Sequence, residues 1–118
     1  MPERGRPISK LTADSFVWRE VCEGWTLLDA PSLHVIQERM PPQTYELRHE
    51  HQQTHQLYFV LEGNATVEHA DDRIEVQAGQ AVDIRAGIPH KMRNDSQADL
   101  EFLVISSQRP REDRRDLE

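Results

Sequence analysis

Short apolar runs alternate with turn residues along most of this chain. From Trp25 onward, segments rich in valine, isoleucine, leucine and aromatic residues are separated by proline, glycine, asparagine or aspartate at intervals of about ten residues. The pattern predicts strands at residues 25–28, 33–39, 44–51, 56–61, 65–69, 73–76, 81–84, 90–93 and 100–106. Ala30-Pro31 and Met40-Pro41-Pro42 end two of these runs, Glu62-Gly63-Asn64 joins two as a hairpin, and Asp71-Asp72 joins the next pair. Successive strands on tight turns pair antiparallel, so the expected fold class is all-β, a sandwich or barrel. Only residues 12–21 suggest a turn or two of helix, with Thr12 or Asp14 as the cap.

Length and charge narrow this picture. A chain of 118 residues makes one domain, with an N-terminal arm over 1–24 (partly helical, or exchanged with a partner), a barrel over 25–107 and a charged tail over 108–118. Twenty-one acidic against fourteen basic residues give a formal charge of -7, which disfavours nucleic acid and anionic membranes as partners. The one basic cluster, RPREDRRDLE from Arg109 to Glu118, interleaves acids with its arginines and reads as a solvated tail. Cys22 is the only cysteine, no apolar run reaches membrane-spanning length, and MPERGRPISK carries no signal-peptide core. A cytoplasmic protein is expected.

The chemistry concentrates in HEHQQTHQLYFVLEG, residues 49–63. In an extended strand His49 and His51 share a face, with Tyr45 and Leu47 further along it, and two such imidazoles can converge on one ion. A second stretch, GQAVDIRAGIPHKMRN, spaces Gly79, Gly87, His90 and Asn94 in a pattern that resembles the second motif of the cupin superfamily, with Arg85 in its proline slot. The first stretch resembles the first cupin motif through His49, His51 and Gly63, with Gln43 in a glycine slot and Gln56 in the glutamate slot.

The resemblance, to a small single-domain cupin, implies a double-stranded β-helix, the jelly-roll barrel of antiparallel strands. It also implies one divalent transition metal per chain (iron, zinc, nickel or manganese) held by His49, His51, Gln56 and His90, with His55 as the substitute for Gln56. Glutamine offers a neutral carbonyl oxygen where a glutamate would bring charge, so a bound ion would be held less tightly and be more Lewis acidic. Tyr45, Leu47, Tyr58 and Met92 are the expected pocket lining, sharing faces with these ligands. His34 and His69 are expected at the surface or at strand edges, and Arg48 and Arg85 on the outer face. Many cupins pair through their N-terminal strands, so Phe16, Trp18 and Trp25 are expected to form an apolar contact in a homodimer.

Two functions remain open at this point. One is an enzyme acting on a small polar molecule through its metal centre, dioxygenase-like or isomerase-like; the other is a non-catalytic module that binds a small-molecule ligand. Glu46 and Glu50 alternate with the histidine face of a continuous strand, which leaves no obvious acid or base and favours oxygenation over isomerisation.

Overall fold

The computed structural model describes residues 5–118, so the first four residues of the N-terminal arm lie outside it. Among the described residues twelve strands form: β1 (Asp14–Trp18), β2 (Cys22–Ala30), β3 (Leu33–Met40), β4 (Thr44–Tyr45), β5 (His49–His51), β6 (Gln56–Glu62), β7 (Asn64–His69), β8 (Asp72–Gln77), β9 (Ala81–Ile84), β10 (His90–Asn94), β11 (Leu100–Ser106) and β12 (Arg114–Asp116). One sheet runs β1-β2-β3-β11-β6-β9 and the other β12-β5-β10-β7-β8, with β4 added beside β10. All pairings are antiparallel, and the two sheets face each other as a double-stranded β-helix.

Alternation along the strands builds the core. Leu100, Phe102 and Val104 on β11, Tyr58 and Val60 on β6, and Val67 and Met92 from the facing sheet are all buried. Phe102 is fully enclosed, and its truncation to alanine removes about 3–5 kcal/mol of packing. Asn94 closes one end: its amide donates to the carbonyls of Met40 and Ala98, while its oxygen accepts from Ser96. Two turns need special backbone. Gln43, in the motif's glycine slot, sits at φ 63°, held by its backbone N–H on Asn94 and its side chain on Asp95 and Ser96. Gly63 sits at φ 88°, and a side chain there would strike the Asp99 carbonyl.

Three regions depart from the sequence reading. The helix expected at 12–21 is instead the strand β1, turning through Arg19 and Glu20, both in left-handed backbone, into β2. Phe16 lies over Gly24 across this hairpin, a cross-strand contact that rewards extended rather than helical backbone. The strand expected over 44–51 breaks into β4 and β5, with residues 46–48 between them. The C-terminal segment is ordered onto the barrel: a 3-10 turn over Pro110–Glu112 leads into β12, whose Arg114 and Asp116 pair with His51 and His49.

Candidate metal centre and its cavity

Pairing of β5 with β10 sets His49 opposite His90, while the two-residue step from His49 to His51 keeps both on the inner face. The three imidazoles are buried, with ring centroids 4.2 to 5.9 Å apart, and each offers a ligand atom within 4.8 Å of the others. Such a cluster can hold a metal ion.

Each ring is turned the same way. His49 Nδ1 donates to the Leu47 carbonyl at 2.7 Å, and His90 Nδ1 to the Ile88 carbonyl at 2.8 Å. His51 Nδ1 meets the Asp113 carboxylate at 3.0 Å. With the Nδ1 protons committed, the Nε2 lone pairs are the ones free to converge, the tautomer a metal requires. Two observations fit an ion at that point. His90 Nε2 and Gln56 Oε1 are both buried with no hydrogen-bond partner among the described residues, although Gln56 Nε2 donates to Ser106. Burial also brings the His49 and His90 imidazoles down to about 4, so both are neutral at physiological pH. The buried imidazole triad, with the unpaired Gln56 oxygen, offers nitrogen and oxygen donors of the kind a divalent transition metal takes.

Asp113 is the residue that the solvated-tail reading missed. Beyond His51 it accepts hydrogen bonds from the Gln53 and Thr54 backbone and from the Thr54 hydroxyl, at 2.7 to 2.8 Å. Partial burial alone would raise its carboxyl, but these donors outweigh burial and hold it at about 2. One carboxylate therefore orients a histidine and fastens the loop that follows it. Its signal in the sequence was weak, because a lone acid among arginines looks like any solvated charge.

The cavity beside the triad measures about 540 Å³. Leu47, Gln56 and Tyr58 line it. Three expectations fail for stated reasons. Tyr45 lies outside, its ring under the Lys91 ammonium at 4.4 Å and the Arg19 guanidinium at 4.7 Å, because the break after β4 shifts the alternation by one residue. Met92 shares the inner face of His90 but is packed in the hydrophobic cluster, away from the cavity wall. His55 precedes Gln56 by one residue and so faces outward, where it is exposed and bonded to Asp83; it cannot substitute for Gln56. Phe16 and Trp18, expected at a dimer contact, line the cavity, and so does His34, which is buried. Arg85 is exposed as expected, and Arg48 is tied to Glu68 and to the Ala70 carbonyl.

The same one-residue shift turns Glu46 inward. Its Oε1 accepts hydrogen bonds from Met92 N–H at 2.9 Å and from the Tyr58 hydroxyl at 3.3 Å, and the Tyr58 ring lies 5.8 Å from that of His90. Glu38 of β3 lines the same cavity. Burial, reinforced by the Glu46 charge, pushes the Glu38 carboxyl up to about 8, and burial likewise raises Glu46 and Tyr58. The cavity therefore does contain acid and base groups, and the premise that it lacked them does not hold.

The Cupin domain family matches residues 36–106, more than half of the chain, and the protein belongs to that family. No curated protein sequence matches it. The polyketide cyclase RemF from Streptomyces resistomycificus is 21% identical, with 98% of this chain and 87% of that one covered at a TM-score of 0.81. An uncharacterised protein with a double-stranded β-helix domain from Klebsiella pneumoniae is 15% identical over 98% and 99% of the two chains, also at 0.81. A cupin sugar phosphate isomerase from Silicibacter pomeroyi is 19% identical over 89% and 77%, at 0.76. At these identities the likenesses establish the fold alone. No helix among the described residues is long and apolar enough to cross a membrane.

Proposed function

We propose that this cupin is a divalent-metal enzyme that moves protons at a carbon next to a carbonyl of a small polar substrate, as an isomerase does. The observation that carries the reading is Glu46. Both of its hydrogen bonds fall on Oε1, so Oε2 is available to a substrate in the cavity that His49, His51 and Gln56 line. A bound ion would supply Lewis acidity toward the substrate carbonyl, and His49, His51, His90 and Gln56 would hold it. Glu46 takes up and returns the proton, and its raised affinity for protons matches that task. Tyr58 orients Glu46 through its hydroxyl. Glu38 stays protonated near neutral pH and serves as a second proton donor.

The test is proton exchange. Metal-loaded protein is incubated in deuterium oxide with a panel of hydroxy-carbonyl and dicarbonyl compounds, and NMR follows loss of the hydrogen next to the carbonyl. Catalysed exchange that drops on the order of 100-fold or more in Glu46→Gln is expected. Substrate loss coupled to dioxygen uptake, with no exchange, would establish oxygenation instead; binding without either would make the barrel a non-catalytic module.

We also infer a homodimer through β1. That strand is a sheet edge with Val17 exposed, and Leu11 and Val21 are exposed beside it. Sedimentation that shows a monomer at micromolar concentration would remove this inference.

A further inference from the structure

The proton-transfer reading leaves one cavity residue without a task. Arg114 pairs directly with His51 in the β5–β12 register, and paired residues of antiparallel strands project to the same side. Its side chain accordingly runs along the inner face and lines the cavity, while its neighbour Arg115 pairs with Glu50 and projects outward. Arg114 lines this cavity together with His49, Glu38, Glu46 and Tyr58, and its side chain remains 36% exposed.

Only one edge of that guanidinium is occupied among the described residues. Its Nε donates to Asp116 at 2.7 Å, so the two terminal nitrogens remain as a planar fork with no protein partner. The carboxyls that line the cavity with it are Glu38 and Glu46, and burial drives both toward the uncharged form. Arg111 and Arg19 line the same cavity and are exposed. A chain with a formal charge of -7 thus presents three arginines around one cavity. The remaining wall includes Trp18, Ile36, Leu47 and Val104, which is apolar surface.

We propose that the cavity takes a small organic carboxylate with an apolar body, and that the terminal nitrogens of Arg114 bind the carboxylate. A planar fork matches a carboxylate through two parallel hydrogen bonds, which an ammonium cannot reproduce. The proposal rests on the proton-transfer reading for the role of the occupant, and on Arg114 alone for its charge. β12 is then a specificity element: Asp113 positions a histidine, and Arg114, the next residue, reads the substrate.

Phenylacetate and phenylacetamide are the probes, since they share size and apolar body and differ in charge. Their affinities are measured by NMR titration for wild type, Arg114→Gln, Arg114→Lys and Arg85→Gln, each with zinc bound and each metal-free, with zinc affinity measured alongside. Wild type should prefer the carboxylate, and Arg114→Gln should cut that preference by roughly 10- to 100-fold with zinc affinity retained. Arg114→Lys should restore it only in part, and Arg85→Gln, on the exposed outer face, should leave it unchanged. An equal preference in wild type and Arg114→Gln would overturn the proposal and assign the anion to the metal alone, as would a wild type indifferent to charge. If no zinc binds, the metal reading fails by itself, and the metal-free titrations still decide the role of Arg114.

Discussion

The cavity has two walls that are held in different ways. On the imidazole wall, His49 and His90 are each fixed by the carbonyl two residues earlier in the same chain segment, a local device that needs little from the rest of the fold. On the carboxyl wall the placing contacts come from distant segments: Glu46 depends on Met92, and Arg114 on its strand pairing with His51. His51 belongs to both, because it lies in the local motif yet its Nδ1 partner, Asp113, is 62 residues away. The His49 and His90 rings are therefore held within their own segments, whereas His51 and Arg114 depend on docking of the C-terminal segment.

This contrast can be broken experimentally. The largest effect is expected from His49→Ala or His90→Ala, which should abolish tight divalent-metal binding in a calorimetric titration while leaving β12 docked. Next comes Asp113→Ala. It frees the His51 ring and removes the acceptor for Gln53 and Thr54, so metal affinity should fall roughly 10- to 100-fold. Hydrogen exchange should quicken at Gln53 and Thr54 but not at His90, and equal loosening of both histidine strands would show that the two walls are not separable.

A smaller effect isolates the carboxyl wall. The Glu38 carboxyl holds its proton up to about pH 8 in the fold, against an ordinary value of 4.5. Between those limits the folded state binds a proton that the unfolded state has released, so stability falls as pH rises through this window. Glu38→Gln should remove that dependence, gaining on the order of 3 kcal/mol over wild type at pH 8 and little at pH 5 in denaturant titrations. A pH-independent difference would mean that Glu38 is ionised in the folded protein.

The difference between the walls also explains what could be read from the sequence. Strand rhythm and turn chemistry located the barrel strands from Leu33 to Ser106, with β4 and β5 read as one, because alternation and turn residues are local signals. The spacing that brings His49, His51 and His90 together was equally legible, since each histidine sits in a short motif whose glycines and asparagine shape its own turns. Glu46 and Tyr45 were assigned to the wrong faces because a continuous strand was assumed where β4 and β5 are separate, and one residue of slippage exchanges inside for outside. Asp113 and Arg114 were missed for another reason. They lie beyond Ser106, where the family match ends, and their role follows from a strand pairing that no local pattern announces. The β1 hairpin was lost to a five-residue strand whose apolar positions suit a helical turn as well.

The central claim is that the three imidazoles converge on one divalent ion. Anomalous diffraction from crystals of the protein, collected across the zinc, nickel, iron and manganese edges, tests it most directly. The account predicts a single peak per chain about 2.0–2.2 Å from the Nε2 atoms of His49, His51 and His90, with Gln56 Oε1 facing it. A peak on other residues, or an ordered triad with no peak after metal loading, would contradict it.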